Sequence, residues 1–317
     1  MAKRLAERAL IARIRAAAAQ HSKAPAISLG IGDDAALLRV ARGSEIVVTT
    51  DLSIEGVHFR RDWEPASTIG KRCLVRALSD LAAMAATPLA CFLSLALPSG
   101  LDQRWADHFL GGFLEYARRY DAALAGGDLS TSQQGVIADV VAIGSVPVGS
   151  AIRRSGARPG DLVYVTGMLG AASASLRGLR RGGARKKTAD IFAPQPQLKV
   201  GVRLRGIASA MIDTSDGLST DLAHLCEESG VSAMVDAELI PKSAAATLDD
   251  ALHGGEDYQL LFTASPDTRV PKSMAGVALH HIGWISRARR GRAPVSLRKC
   301  DETIPLVSGG WEHFTHR

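Results

Sequence analysis

Hydrophobic and polar positions along the chain alternate between a helical period and a strand period. Leu5, Ile11, Ile14 and Ala18 recur at helical spacing and predict an amphipathic helix at the start of the chain. By the same reading, further helices are expected over 65–84, 102–120 and 216–229 and from Gly167 onward, and strands over 46–50, 90–97, 136–146, 162–166 and 258–264. The chain therefore belongs to the mixed α/β (α+β) class.

A break in this pattern divides the chain near its middle. Residues 147–160 read PVGSAIRRSGARPG, and the pattern restarts with the strand at 162–166. A length of 317 residues suits two domains of about 150 residues each. We therefore expect one domain over 1–149 and a second over 150–317, both of mixed α and β structure.

Composition narrows the class of protein. Aromatic residues make up only 5% of the chain, so the core must consist mainly of Ala, Leu, Val and Ile. The 4 cysteines are far apart and form no C-x-x-C, which argues against a disulfide framework and favours a reducing compartment. The apolar run over 81–97 is too short for a membrane span and contains Pro88. We expect a soluble cytoplasmic protein with no membrane partner.

Two basic clusters account for the net charge of +6. They comprise Arg177, Arg180, Arg181, Arg185, Lys186 and Lys187, and Arg287, Arg289, Arg290, Arg292, Arg298 and Lys299. Neither cluster contains an aromatic residue, so solvated surface loops are favoured over a nucleic-acid site. A nucleic-acid-binding protein is kept as an alternative, whose affinity would fall steeply with salt. That alternative leaves the acidic motifs described next without a role.

Acidic residues recur beside glycines or at the ends of predicted strands. They are Asp34 in GIGDDAA, Asp51 in VVTTDLSIEGVHF, Asp80 in ALSDLAAM, Asp128 in AGGDLS, Asp213 and Asp216 in MIDTSDGLSTD, and Glu256 in HGGEDY. Each motif alone is compatible with a turn. Carboxylates gathered in one site repel each other unless cations neutralise them, and Mg²⁺ takes oxygen ligands and bridges to phosphates. Together the motifs indicate a site for metal ions and phosphate.

Other nucleotide signatures are absent or weak. The chain has no G-x-x-x-x-G-K-[ST] motif, and Gly30, Gly32 and Ala35 match the dinucleotide fingerprint only loosely. Arg154 suits a bidentate phosphate contact, with a surface salt bridge as the alternative. Trp311 suits stacking on a flat or cationic ligand, with a packed tail as the alternative. His58 follows Asp51 by seven residues and is either a site residue or a structural histidine.

The combined motifs resemble the thiamine-monophosphate kinase family of the aminoimidazole ribonucleotide synthetase-like superfamily. The matching segments, in family order, are LGIGDDAALL, TTDLSIEGVHF, ALSDLAAMAATP, GGDLS, AIRRSGARPGD, IDTSDGL and GGEDYQLLF, followed by Trp311. The resemblance implies a two-domain α/β subunit whose N-terminal mixed sheet forms a barrel across a homodimer. It also implies transfer of a phosphoryl group from ATP to thiamine monophosphate, giving thiamine diphosphate.

The resemblance assigns roles by motif. The implied Mg²⁺ ligands are Asp34, Thr49, Thr50, Asp51, Asp80, Asp128, Asp213 and Asp216. The implied ATP contacts are Gly127, Asp128, Arg154 and Ser215, and the implied contacts to thiamine monophosphate are His58, Glu256 and Trp311. Residue 49 is Thr where a Ser can stand in the family, which preserves the hydroxyl. No general base is expected, because a phosphate acceptor is already mostly dianionic at neutral pH.

A relative in the same superfamily is the nearest alternative. Such an enzyme would use ATP to activate an amide or a selenide. A selenide-activating enzyme would need a reactive cysteine near the N-terminus, whereas the first cysteine here is Cys73. The GGEDYQL segment and Trp311 favour the thiamine branch.

Overall fold

The structure is a computed structural model that describes residues 7–19, 25–31, 34–180, 194–288, 291 and 293–311. The described chain forms two compact units that meet in sequence between Val148 and Gly149, and the segment Ala82–Ala86 belongs to the second unit. Among the described residues, no helix combines the length and the apolar character needed to cross a membrane.

The first unit is built on a four-stranded mixed sheet. Its elements are α1 (Glu7–Ala19), β1 (Ile27–Leu29), β2 (Leu37–Leu38), β3 (Ser44–Ile54), α2 (Ala66–Ala83), β4 (Thr87–Pro98), α3 (Gln103–Arg119), β5 (Leu124–Ser132) and β6 (Ile137–Pro147). The strand order is β3-β6-β4-β5, with β4 and β5 parallel and the other neighbours antiparallel. The strands β3 and β5 therefore form opposite edges, while β1 and β2 pair separately.

The two faces of the edge strand β3 differ in character. Successive side chains of a strand point to opposite faces. On one face, Thr49 and Asp51 contact α2, which covers that side of the strand. On the other face, Ile46, Val48 and Leu52 are 56%, 60% and 46% exposed. The first unit therefore presents an apolar sheet face that its own described residues leave open.

Helices α2 and α3 cross with their backbones almost in contact. A Cβ atom on Gly70 would lie 2.1 Å from the Phe109 carbonyl oxygen, and one on Gly112 would lie 2.0 Å from the Ser67 carbonyl oxygen. No side chain fits at either position without moving a helix. The crossing sets the position of α2 and therefore of the polar residues that α2 presents to β3.

The second unit contains a larger, mostly antiparallel sheet. Its elements are β7 (Leu162–Thr166), α4 (Ala171–Arg180), α5 (Leu198–Arg203), β8 (Ala210–Asp213), α6 (Leu218–Ser229), β9 (Val231–Asp236), α7 (Leu248–His253), β10 (Leu260–Ala264), β11 (Ser273–Met274), β12 (Val277–Arg287), β13 (Val295–Lys299) and β14 (Glu302–Pro305). The order is β14-β13-β9-β12-β7-β10-β8, with β11 on β12, and the pair β13 and β9 is parallel. Val163, Ile212, Leu222, Val235 and Leu261 lie in its buried core.

Most predicted elements are present, but the placement of several acidic residues differs from expectation. Asp213 does end a strand, as predicted, whereas Asp51 and Asp128 lie inside strands and Asp80 lies in α2. The glycines before Asp128 suggested a turn. Instead, Gly127 lies in β5 because its missing side chain lets the strand approach β4, where a Cβ would be 1.9 Å from the Leu93 carbonyl oxygen.

The basic clusters are only partly solvated. Arg177 pairs with Asp250, and Arg298 pairs with Asp236 and stacks on the Trp284 ring. These two arginines thus stabilise the second unit, contrary to the expectation of a purely solvated face. Seven members lie outside the described residues: Arg181, Arg185, Lys186, Lys187, Arg289, Arg290 and Arg292.

We expect the substitution Gly112→Ala to lower the free energy of unfolding by about 3 kcal/mol, because the new methyl group must push α2 and α3 apart. The neighbouring Gly111 has nothing within 4 Å of its Cβ position and is the matched control. Gly111→Ala should raise stability by about 0.5–1 kcal/mol through helix propensity. Urea unfolding followed by circular dichroism measures both variants. Equal effects of the two would show that the close crossing is not required.

Candidate active site

Polar residues one helical turn apart line the side of α2 that contacts β3. The Arg76 Nε donates to Asp51 Oδ1 at 2.7 Å, and the Thr49 hydroxyl donates to Asp80 Oδ2 at 2.5 Å. Three of the predicted metal ligands, Thr49, Asp51 and Asp80, are therefore gathered between one strand and one helix. Arg76 belongs to the same group, although the sequence analysis did not single it out.

Thr50 and Asp128 lie on the opposite face of the sheet. The Thr50 hydroxyl donates to Asp139 Oδ1 at 2.8 Å. Asp139 pairs with Ser94 across β6 and β4, and Ser94 pairs with Asp128 across β4 and β5, so these residues share a face. The strands β3 and β5 are three strand spacings, about 14 Å, apart, and Thr50 lies two residues along β3 from the position opposite Asp128. One protomer does not bring them to the same ion.

Asp139 was not predicted as a site residue. It interrupts the apolar strand VIADVVAIG, and a charged residue inside such a strand was the available signal.

A buried ion pair holds the segment that carries His58. Arg72 donates to the Glu64 carboxylate at 2.6 Å and to the His58 carbonyl at 3.2 Å. The Ile54 amide donates to His58 Nδ1 at 3.0 Å. With Nδ1 occupied as an acceptor, the neutral imidazole carries its proton on Nε2. His58 is therefore oriented as a hydrogen-bond donor through Nε2.

A pocket of about 150 Å³ borders Gly127 and Asp128 in the first unit. Its walls are mostly apolar and include Ile11 and Ile14 of α1 and Leu93 of β4. Asp34 is exposed in the segment before β2. Asp128 pairs with Ser94, so its side chain points to the sheet face opposite Leu93. The pocket therefore has an apolar lining, and Asp128 borders it through its backbone.

In the second unit, the loop after β8 gathers four predicted residues. The Glu256 amide donates to the Ser215 carbonyl at 2.8 Å, and the Trp311 amide donates to the Asp216 carbonyl at 3.1 Å. Segments distant in sequence, HGGEDY and GGW, thus meet at one loop. Trp311 is 52% exposed, so part of its surface faces solvent.

Glycines make this meeting possible. A Cβ on Gly255 would lie 2.5 Å from the Ser215 carbonyl oxygen, and a Cβ on Gly310 would lie 2.2 Å from the Asp216 carbonyl oxygen. Glu256 itself has a φ of 65°, a left-handed conformation that is uncommon for a residue with a side chain. Such strain is concentrated at functional sites, where the surrounding structure imposes it.

Two buried carboxylates, those of Asp257 and Asp221, accept hydrogen bonds from backbone amides around the loop after β8. Asp257 accepts from the amides of Gly170 and Ala172 at the start of α4, and burial raises the pKa of Asp257 to about 6. Asp221 accepts from the amides of Asp216 at 3.2 Å and Gly217 at 2.9 Å. Burial, followed by the nearby charges of the carboxylates at 213 and 216, raises the pKa of Asp221 well above its usual value.

Three side chains near this loop are arranged so that they could share a metal ion. Oxygen or nitrogen atoms of Asp216, Asp221 and His224 all lie within 4.8 Å of one another. The prediction included Asp216 but not the other two, although Asp221 stands in the same DGLSTD motif.

Arg154, a predicted ATP contact, is exposed. The carbonyl of the neighbouring Arg153 accepts from the Met211 amide, so this segment passes β8 two residues before Asp213.

The donor atoms fit a hard divalent cation. Carboxylates and hydroxyl groups dominate both groups of predicted ligands, and Mg²⁺ prefers such oxygen ligands. The buried cysteines Cys73, Cys91 and Cys226 are free thiols whose pKa is raised by burial, so they are not poised as ligands for softer metals.

Comparison with known proteins defines the class first. Residues 32–146 match the AIR synthase related protein, N-terminal domain, and residues 158–296 match the AIR synthase related protein, C-terminal domain. The two-unit α/β fold is therefore that of an AIR synthase related protein, as the sequence predicted.

Individual relatives narrow this class. A thiamine-monophosphate kinase of Salmonella typhimurium is 40% identical over 310 residues, covering 91% of this chain and 92% of the relative. The chain belongs to the thiamine-monophosphate kinase family, which confirms the predicted resemblance.

Solved structures agree with this assignment. The crystal structure of thiamine-monophosphate kinase from Stenotrophomonas maltophilia K279a matches with a TM-score of 0.81 and 38% identity, covering 94% of this chain and 98% of that chain. AaThiL complexed with AMPPCP and TMP matches with a TM-score of 0.76 and 27% identity, covering 97% of each chain.

Proposed function

We propose that this protein transfers the γ-phosphoryl group of ATP to thiamine monophosphate, giving thiamine diphosphate and ADP, the last step of thiamine diphosphate synthesis. The observation that carries the proposal is the convergence of Ser215, Asp216, Glu256 and Trp311 on one loop. Their motifs suggested separate contacts to ATP, metal and substrate. A related structure that holds both AMPPCP and TMP supports the same pair of substrates.

Magnesium would be held by oxygen ligands in both units. The proposed ligands are Asp34, Thr49, Thr50, Asp51, Asp80, Asp128, Asp213 and Asp216. When bound, Mg²⁺ would neutralise the charge of the two phosphate groups and orient them for transfer. Arg154 and Ser215 would contact the ATP phosphates with Gly127 and Asp128.

The acceptor would be bound by residues suited to its two ends. His58 offers an oriented Nε2 donor for a phosphate oxygen. The thiazolium ring of thiamine is cationic and its aminopyrimidine is flat, so the exposed Trp311 ring can stack on it. Glu256 can accept hydrogen bonds or balance the positive charge.

Transfer would be direct, without a phosphoenzyme. The acceptor phosphate is already a dianionic nucleophile near neutral pH, so no side chain needs to remove a proton. The transition state of phosphoryl transfer is loose, and catalysis depends on positioning and charge neutralisation. The protein would supply aligned oxygen ligands, the His58 donor and a stacking surface.

We also propose that the protein works as a homodimer in the cytoplasm. The open apolar face of β3 supports association with a second copy, because such a patch on an edge strand favours pairing. A barrel closed by two sheets would bury Ile46, Val48 and Leu52. It would also let the partner's sheet supply to Thr50 the carboxylate that lies three strands away within one protomer. Residues 1–149 would bind ATP and magnesium and dimerise, and residues 150–317 would complete the active-site cleft.

The first experiment measures ADP release that depends on thiamine monophosphate. We expect the wild type to be active and Asp128→Asn to lose about two orders of magnitude in kcat, because one ligand charge is removed while the fold survives. Asp121→Asn is the matched control, since Asp121 is exposed and its φ of 54° suits Asn. ADP release that requires a formyl-amidine substrate instead would identify a different superfamily enzyme, and a trapped phosphoenzyme would refute direct transfer.

The second experiment tests the stacking role of Trp311. We expect Trp311→Ala to raise the KM for thiamine monophosphate about tenfold and to leave the KM for ATP nearly unchanged, while Trp311→Phe keeps most of the affinity. Val307→Ala, an exposed change four residues away, should alter neither constant. Equal rises in both KM values would refute the assignment of Trp311 to the site that binds thiamine monophosphate.

The third experiment tests the dimer by sedimentation velocity. Val48→Asp places a charge on the open face of β3, and we expect it to convert a dimer into monomers that retain native circular dichroism. Val307→Asp introduces the same charge at an exposed position of the second unit and should leave the dimer intact. A Val48→Asp protein that sediments like the wild type would contradict the proposed interface.

A further inference from the structure

Arg76 lies directly on a proposed magnesium ligand. Its Nε donates to Asp51 Oδ1 at 2.7 Å, and the two side chains are only 16% and 19% exposed. One turn further along α2, Asp80 accepts from the Thr49 hydroxyl at 2.5 Å. A permanent cation is therefore built into the acidic group between β3 and α2, and the mechanism proposed above gives it no part.

The position of Arg76 matters because a guanidinium stays charged at any pH at which the protein is folded. It offsets the repulsion between Asp51 and Asp80 when no metal is bound. An ion coordinated by the second oxygen of Asp51 would lie about 6 Å from the guanidinium, where like charges repel even in water. The same arginine must therefore stabilise the metal-free site and weaken its hold on a divalent cation.

We propose that Arg76 is a positioning residue that serves as an internal counter-ion for the magnesium site. It holds the Asp51 carboxylate in place before the metal arrives and lowers the affinity of the site for divalent cations. The inference rests on the proposed function, since it takes Asp51 as a metal ligand. It concerns the relative free energies of the metal-free and the metal-bound site. It therefore predicts changes in metal affinity and in thermal stability, which can be measured without enzymatic turnover.

The experiment titrates the full-length protein with Mn²⁺ as the probe and follows free Mn²⁺ by electron paramagnetic resonance, with and without AMPPCP. We expect Arg76→Gln to bind Mn²⁺ about tenfold more tightly than the wild type, because one positive charge has been removed. Arg76→Lys keeps the charge and should bind like the wild type. Arg298→Gln breaks an Arg–Asp pair in the second unit and is the matched control.

Thermal unfolding supplies an independent measurement. Without metal, Arg76→Gln should melt at a lower temperature than the wild type. Saturating Mn²⁺ should reduce this difference, because the metal replaces the lost charge. A variant that folds only when Mn²⁺ is present would support the inference in the same way.

Three results would overturn the inference. The first is Mn²⁺ binding by Arg76→Gln that is unchanged or weaker than in the wild type. The second is Arg76→Lys binding Mn²⁺ as tightly as Arg76→Gln does. The third is a loss of melting temperature in Arg76→Gln that metal does not reduce. A wild type that binds no Mn²⁺ even with AMPPCP would instead refute the proposed metal site itself, and the inference with it.

Discussion

Repulsion between neighbouring carboxylates is the constraint on which the proposed site depends. A carboxylate taken out of water needs a cation or hydrogen-bond donors to remain charged. This protein meets the need in different ways at different positions. Arg76 lies on Asp51, a hydroxyl group donates to Asp80, and backbone amides donate to Asp221. Where hydrogen-bond donors do not fully compensate for burial, the pKa of the carboxylate rises. Asp221 is the example, since burial and the neighbouring charges raise its pKa well above the usual value.

Close contact between backbones is the second requirement, and glycine supplies it. Gly127 lets β5 approach β4 where Asp128 begins its exposed stretch, and Gly255 and Gly310 let two distant segments reach the carbonyls of Ser215 and Asp216. In each case the glycine stands one residue before a proposed site residue. The pairing has a physical reason, since a ligand-binding side chain can be placed accurately only when its own backbone is fixed by tight packing.

The sequence predicted the type of most elements because long apolar stretches keep one period. The strand at 162–166 and the helices around 65–84 and 102–120 are examples, and the structure contains all three. Strand β5 was missed because local glycines favour a turn, and only pairing with β4 makes LAGGDLSTS extended. Asp139, Asp221 and Arg76 were also missed. Asp139 and Arg76 act through contacts between strands and between a strand and a helix, which residue spacing does not contain. Asp221 is a local case, because its carboxylate accepts from the amides of Asp216 and Gly217 in its own motif.

The chemistry of the acceptor explains why the site would bind its metal ion with moderate rather than maximal affinity. A phosphate dianion needs no base, so charge neutralisation is the main contribution that the protein can make to the reaction. Ions bound too firmly by the protein would hold the product phosphates equally firmly, and binding that is equal in all states does not speed the chemical step. A resident guanidinium beside Asp51 moves part of the neutralising charge from the ion to the protein. The ion then binds most strongly when both anionic substrates are present, which is when its charge is needed.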